Sequence, residues 1–174
     1  MKNNLQRGFT LIELLVVVAI IGILASVMLA SLNSSRSKGA DAAIKSNLAN
    51  IRPQAELIYS SSGCYGDGNP VTDTSCTAFV LAQCSNATAN VLFTNPIVWD
   101  QITAAANAGT GITNTRCYSS GQAWATAVQL ETSDGPAPAP LPDSWCVDSL
   151  GASKSYSWAT GQTISNSIGL NGCS

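Results

Sequence analysis

Histidine is absent from all 174 residues. That removes the commonest general base and the commonest metal ligand, so a serine or cysteine nucleophile has no histidine to partner it. Charge is scarce as well, 10% of residues, and no spacing among the acidic residues singles out an acid–base pair. Neither catalysis nor a cofactor is expected. The six cysteines form no CxxC pair of the kind that marks zinc ribbons or thioredoxin-like redox sites. None of them falls in the first 63 residues; Cys64, Cys76, Cys84, Cys117, Cys146 and Cys173 all lie beyond. An even number with that distribution suits disulfides in an oxidising compartment. Six cysteines can pair in fifteen ways and sequence does not choose among them. Local pairing, Cys64 with Cys76, Cys84 with Cys117 and Cys146 with Cys173, is the expectation.

What the chain does have is an apolar run over residues 14–32, interrupted only by Gly22, Ser26 and Ser31. As a helix rising about 1.5 Å per residue, these positions span about 29 Å, close to the roughly 30 Å hydrocarbon thickness of a bilayer. Lys2 and Arg7 flank its N-terminal side and would stay in the cytoplasm. Everything after Leu32 should then lie outside, which agrees with where the cysteines fall. One residue disturbs the run. Glu13 is a carboxylate at its edge, and such a group in lipid costs several kcal/mol unless it is protonated or paired. A plain secretory signal would not want it, so a functional partner is expected.

The stretch Arg7-Gly8-Phe9-Thr10-Leu11-Ile12-Glu13, continued by apolar residues to Ala25, closely resembles the precursor signature of type IV pilins and pseudopilins. The signature combines a short basic leader ending in Gly, a Phe, a Glu four residues later and an apolar helix. The resemblance covers the first fifty or so residues. It implies cleavage after Gly8 by a dedicated prepilin peptidase, an aspartyl membrane protease, and methylation of the new amine of Phe9. It also implies that Glu13 pairs with the N-terminal amine of a neighbouring subunit, which would supply its missing partner. Many pilins carry a proline in the second half of the apolar segment; this chain has none there.

Beyond residue 39 a second periodicity appears: Ala40, Ile44, Leu48, Ile51, Ala55 and Ile58 recur at three- and four-residue steps, one stripe of an amphipathic helix. Asp41 with Lys45, and Arg52 with Glu56, are spaced for ordinary surface pairs. Pro53 should kink this helix. From Phe9 to about Tyr59 the combined helix would reach about 75 Å, which reads as a protruding anchor.

From Ser60 the composition shifts to Ser, Thr, Asn, Gly and Cys, and residues 63–70 read as a loop. Asp67, Asn69 and Asp73 within and beyond it do not match an EF-hand spacing. Asn95-Pro96 caps a short helix over residues 97–107, ended by Gly109 and placed on one edge of a sheet. Residues 122–131, 144–149 and 155–159 alternate as half-buried strands, with Trp124, Trp145, Tyr156 and Trp158 as packing rather than as a stacking platform. The proline-rich residues 134–143 make an exposed loop. Asn33 and Asn86 stand in Asn-x-Ser/Thr patterns, from which no glycan is concluded.

The expected fold is α+β: a long N-terminal helix, membrane anchor plus amphipathic half, packed on a small antiparallel, disulfide-braced sheet. Its segments are a leader (1–8), a membrane and filament-core helix (9–32), its amphipathic continuation (33–60) and a globular head (61–174). The expected function is a structural subunit of a type IV pilus serving adhesion, twitching or uptake. Its partners would be copies of itself, the prepilin peptidase, an inner-membrane assembly platform and, before assembly, membrane lipid. The precursor would sit single-pass in the inner membrane with its N-terminus inside, and the product in an extracellular pilus. A pseudopilin of a type II secretion system or competence machinery shares the same signature. A secreted soluble binding domain with an ordinary signal peptide is the alternative from another class, disfavoured by Glu13 and the length of the run. From Ser60 onward two basic residues face seven acidic ones, a net charge of −5, which is the wrong sign for nucleic-acid binding by the head.

Overall fold

The structure, a computed structural model, describes residues 9–66, 79–85, 91–133, 142–169 and 172–174. Gly8 and the leader, Asp67, Asn69, Asp73, Cys76, Asn86 and most of the proline-rich loop lie outside the described residues. The chain divides into two compact units, Met1–Arg36 and Ser37–Ser174, each taken by itself below.

In the first unit the described residues are helical from Leu11 onward. α1 (Leu11–Ala49) begins after Thr10 and runs through the whole apolar segment. Every large apolar side chain described from Leu11 to Leu32 is at least 47% exposed, so the helix is apolar on all sides and buries none of them. Ser26 returns its hydroxyl to the Ile23 carbonyl at 2.8 Å, and Ser35 to Ser31 at 3.0 Å, which satisfies these groups within the helix itself.

In the second unit, α1 continues to Ala49 and α2 (Ile51–Ser62) follows. Pro53 leaves a gap in the hydrogen-bond ladder at Asn50, which keeps helical angles (φ −72°, ψ −12°), so the helix runs on from α1 into α2. Proline lacks an N–H for the carbonyl four residues back, and that residue is Ala49, the last of α1. Pro53 then sits in the first turn of α2, where N–H groups have no helical partner anyway. The apolar stripe behaves as read: Ile44, Leu48, Ile51, Ala55 and Ile58 are buried. α2 stops at Gly63, whose φ of 73° is a left-handed closure that only glycine adopts without strain.

Five strands form one antiparallel sheet in chain order: β1 (Phe79–Ala82), β2 (Thr115–Ser119), β3 (Trp124–Gln129), β4 (Asp143–Asp148) and β5 (Ser153–Ser157). The three expected strands are present, and β1 and β2 add to them. A short α3 (Val91–Thr94) precedes α4 (Pro96–Ala108), whose Asn95 cap accepts from the N–H groups of Ile97 (3.0 Å) and Val98 (3.3 Å). α4 packs on α2 and the central strand β3, not on a sheet edge as expected. It can do so because Val98, Ile102 and Ala105 form a buried stripe joined to the helical one.

The sheet is covered on both faces. On one, Trp124, Val128 and Val147 meet Ile44, Leu48, Ile51, Phe93 and Ile102. On the other, the small Ala125 and Ala127 let the 3₁₀ turn Ile164–Ser167 lie close, with Ile164 and Ile168 against Cys146. β3 is therefore buried on both sides, where the sequence pattern had suggested one. Trp124 is core as expected, its ring edge-on to Tyr65 at 6.4 Å. Trp158 is half-buried in the second cluster and donates its ring N–H to the Ser144 hydroxyl at 3.1 Å.

Neither expected surface pair is made. Asp41 is buried and accepts from the backbone N–H groups of Glu131 (2.7 Å) and Thr132 (3.3 Å) and from the Thr132 hydroxyl. Lys45 lies 4.7 Å over the Trp145 ring. Arg52 donates to the carbonyls of Asp148 (3.2 Å) and Ala152 (2.9 Å), and Glu56 accepts the Tyr65 hydroxyl at 2.8 Å. Unpaired backbone groups at the β3 end and the β4–β5 turn are stronger attractions than a solvated neighbour on the same helix, because burying them unbonded would cost about 1–3 kcal/mol each.

Two measurements test this packing. A Cβ placed on Gly109, the α4 cap, would stand 2.8 Å from Ile44 Cδ1 and 3.0 Å from the Gln129 carbonyl oxygen. Gly109→Ala is therefore expected to destabilise the head by about 1–3 kcal/mol, read as a lower denaturation midpoint with unchanged slope. Burial, followed by the bond to Glu56 and that carboxylate's charge, pushes the Tyr65 hydroxyl up to about 12. An unfolded tyrosine ionises near pH 10, so this contribution is complete below pH 10 and falls away between pH 10 and 12, by roughly 2–3 kcal/mol at most. The stability gap between wild type and Tyr65→Phe should accordingly narrow from pH 9 to pH 11.5. A constant gap in thermal melts would sink the assignment.

Candidate assembly segment

The residues expected to carry function at the N-terminus are Gly8, Phe9 and Glu13, of which the structure describes the last two. Phe9 is 80% exposed. Phe9, Ile12, Glu13, Val16 and Val17 line one side of the first helical turns, as positions three and four apart must. Glu13 is in the first turn of α1, where the helix dipole favours a negative charge.

The local partner of Glu13 went unread in the sequence. Thr10 precedes the helix, and its backbone N–H and its hydroxyl both donate to Glu13 Oε2, at 2.9 and 2.7 Å. The Glu13 N–H points back to Thr10 Oγ1 at 3.4 Å. This is a capping box, and the Thr-x-x-Glu spacing that encodes it was there to be found. Both local donors converge on one carboxylate oxygen. Oε1 takes no hydrogen bond among the described residues and is available to a further donor. The arrangement is thus a fixed, half-used carboxylate at the end of an apolar helix, with the backbone of residue 9 beside it.

Residues 3–29 match the family described as "Prokaryotic N-terminal methylation motif". The chain is also similar to the "Type IV major pilin protein PilA" of Myxococcus xanthus (strain DK1622), 37% identical over 65 residues. The N-terminal segment carries the methylation motif and is similar to that of a type IV major pilin. That likeness spans 37% of this chain and 30% of the relative, so it speaks for the segment rather than for the whole. No solved structure matches the chain. The pilin-like segment contains one helix long and apolar enough to cross a membrane, and with the motif it fits a membrane-anchored precursor.

The described cysteines belong to the second unit. Cys84 is bonded to Cys117 and Cys146 to Cys173, two of the three local pairs. The third, Cys64 with Cys76, involves a residue outside the described ones. Cys84–Cys117 ties the chain just after β1 to β2. Cys146–Cys173 ties β4 to the last residues, where Cys173 also donates its N–H to Asp148 Oδ2 at 2.9 Å.

Proposed function

We propose that the protein is a structural subunit of a type IV pilus, made as a membrane-inserted precursor, cleaved after Gly8 and N-methylated at Phe9. Subunits polymerise through the apolar helix, with Glu13 paired to the N-terminus of a neighbour. The supporting observation is an apolar helix exposed on every side with a single carboxylate in its first turn, inside the segment matched by the methylation motif. Such a surface is indifferent between lipid and copies of itself, because hydrocarbon tails and apolar side chains solvate it equally well. The carboxylate breaks that indifference, since its free Oε1 gains a charge-assisted hydrogen bond only where an amine is brought to it.

On this reading residues 1–8 are the leader, 9–32 the membrane and filament-core helix, 33–60 its amphipathic continuation and 61–174 the head. A prepilin peptidase and an inner-membrane assembly platform act on it, the assembled pilus is extracellular, and the chain itself performs no catalysis. Intact mass and N-terminal sequencing of protein from sheared filaments and from membranes tests this. A chain starting at methylated Phe9 and abundant in the sheared fraction is expected. The same start confined to membranes would make it a secretion-system pseudopilin, and a start at Ser26 or Ser31 in the medium an ordinary secreted domain.

A further inference from the structure

The basic residues that follow the apolar run are Arg36, Lys38, Lys45, Arg52, Arg116 and Lys154. Three of them are used by the fold. Lys45 lies over the Trp145 ring, Arg52 donates to the Asp148 and Ala152 carbonyls, and Arg116 donates to the Thr113 and Thr115 carbonyls and the Ser165 hydroxyl. Lys154 is exposed on the edge strand β5. Arg36 and Lys38 are exposed and hold no partner among the described residues. The next carboxylate along the helix is three positions beyond Lys38, close enough to serve it. That residue, Asp41, is instead buried on the backbone N–H groups of Glu131 and Thr132. A guanidinium and an ammonium are thus left without a counter-charge on α1, in the polar turns just past Leu32.

Their depth follows from the helix. α1 is continuous through this stretch, so Arg36 stands about 6 Å and Lys38 about 9 Å beyond Leu32, the last residue of the apolar run. The headgroup layer of a bilayer adds about 5–8 Å on each side of the hydrocarbon. With the apolar run filling the hydrocarbon, the Arg36 backbone lies within that layer and the Lys38 backbone at its outer limit. Side chains on a helix lean toward its N-terminus, which here is toward the membrane, so both long stems carry their charges back to the level of the phosphates. Positions two apart on a helix do not face each other, so each cation meets its own lipid and no shared pocket is needed.

We infer that Arg36 and Lys38 each bind the phosphate of an anionic phospholipid in the outward leaflet and so fix the depth of the inserted subunit. The ligand is a lipid because a bilayer holds its phosphates at this depth, whereas exposed single cations keep a free anion only weakly in salt. Both bonds are given up when the subunit leaves the bilayer, so an anionic leaflet favours the inserted state over the filament. This contact rests on the reading of residues 9–32 as the membrane helix of a pilus subunit and names the lipid that it meets.

The test places the full chain in phosphatidylcholine vesicles with trace spin-labelled phosphatidylglycerol or spin-labelled phosphatidylcholine. The motionally restricted share of each label reports the lipid at the protein. Phosphatidylglycerol is expected in excess, and the excess should fall by about half in Arg36→Gln/Lys38→Gln, because Lys2 and Arg7 remain at the other flank. Arg36→Lys/Lys38→Arg should keep the excess, and Lys154→Gln should leave it unchanged. Glutamine is a good helix former at exposed positions, so the head should melt as in wild type. Sodium chloride should weaken the excess, and sodium phosphate at equal ionic strength should weaken it no further. A double glutamine variant with the wild-type excess, or an equal loss in Lys154→Gln, would overturn the contact. Displacement by phosphate beyond that by chloride would make the pair a site for a free anion and overturn it as well. Any of these results with a chain that starts at methylated Phe9 in sheared filaments overturns the lipid contact alone. A chain that starts at Ser26 or Ser31 in the medium has lost the span, and both readings fall together.

Discussion

Replacing Glu13 by leucine is expected to leave a chain that inserts and is cut ahead of Phe9, yet is at least about tenfold depleted from sheared filaments, a difference of about 1.4 kcal/mol or more per subunit. Two effects add in the same direction. The carboxylate disfavours the membrane-inserted monomer, because an ionised group at the edge of hydrocarbon is held there against its hydration; leucine removes that penalty and makes the monomer more content in lipid. In the filament the same carboxylate is what a neighbouring amine would bind, and leucine removes that gain as well. The equilibrium moves toward the membrane from both ends.

Glu13→Gln separates the charge from the cap. Glutamine keeps the length and an oxygen for the N–H and hydroxyl of Thr10, so the capping box and the start of α1 persist. It cannot pair with an ammonium as a carboxylate does. Loss of filaments with both substitutions, at unchanged membrane levels, supports intersubunit pairing. If the glutamine variant assembles as well as wild type, capping is the whole role of Glu13 and the pairing is wrong.

The parts of this molecule legible from sequence were those in which one physical demand acts alone. Residues 14–32 are apolar on all sides, as a helix surrounded by lipid or by apolar neighbours demands. The stripe from Ile44 to Ile58 was legible because a helix with one buried face repeats at three and four residues. Asn95-Pro96 and Gly109 bracketed α4 through backbone chemistry that owes nothing to the rest of the fold.

Where two demands compete, the pattern failed. β2 buries Thr115, Cys117 and Ser119, and no apolar alternation announces a strand whose inward side chains are polar or disulfide-bonded. β3 alternates large with small, Trp124-Ala125-Thr126-Ala127-Val128, which looks half-buried until the 3₁₀ turn Ile164–Ser167 is seen to need the alanines. Asp41 and Arg52 have the spacing of surface pairs, yet their partners include backbone groups up to a hundred residues away, while Glu56 accepts the Tyr65 hydroxyl. At the N-terminal end the Thr10-x-x-Glu13 spacing encodes the cap locally, so that Glu13 serves as a helix cap besides being a charge at the edge of the apolar run.

Removing the bond between Cys84 and Cys117 by changing both to alanine is expected to cost the head about 4 kcal/mol. The loop it closes has a sequence separation of 33, for which the chain-entropy relation gives a little under that figure. Both sulfurs are buried beside the Thr126 hydroxyl, so two truncated side chains add some loss of packing. Against a typical total of about 5–15 kcal/mol for a domain, that is a large share, and it should appear as a shift in the denaturant midpoint. The bond between Cys146 and Cys173 closes a loop of nearly the same length, a separation of 27, so the entropy relation alone predicts nearly the same loss. The structure predicts otherwise. Besides the disulfide, the Cys173 N–H bond to Asp148 Oδ2, the bridge between Ile168 and Cys173 and the Ser174 bond to the Ser167 carbonyl tie this segment among the described residues. Without the disulfide that segment can open locally, exposing Ile164, Ile168 and the alanine face of β3 while the helical face of the sheet stays packed. Hydrogen exchange should therefore show protection lost around residues 164–174 in the second variant and lost across the whole sheet in the first. Equal, global loss in both would mean that the two faces of the sheet unfold as one.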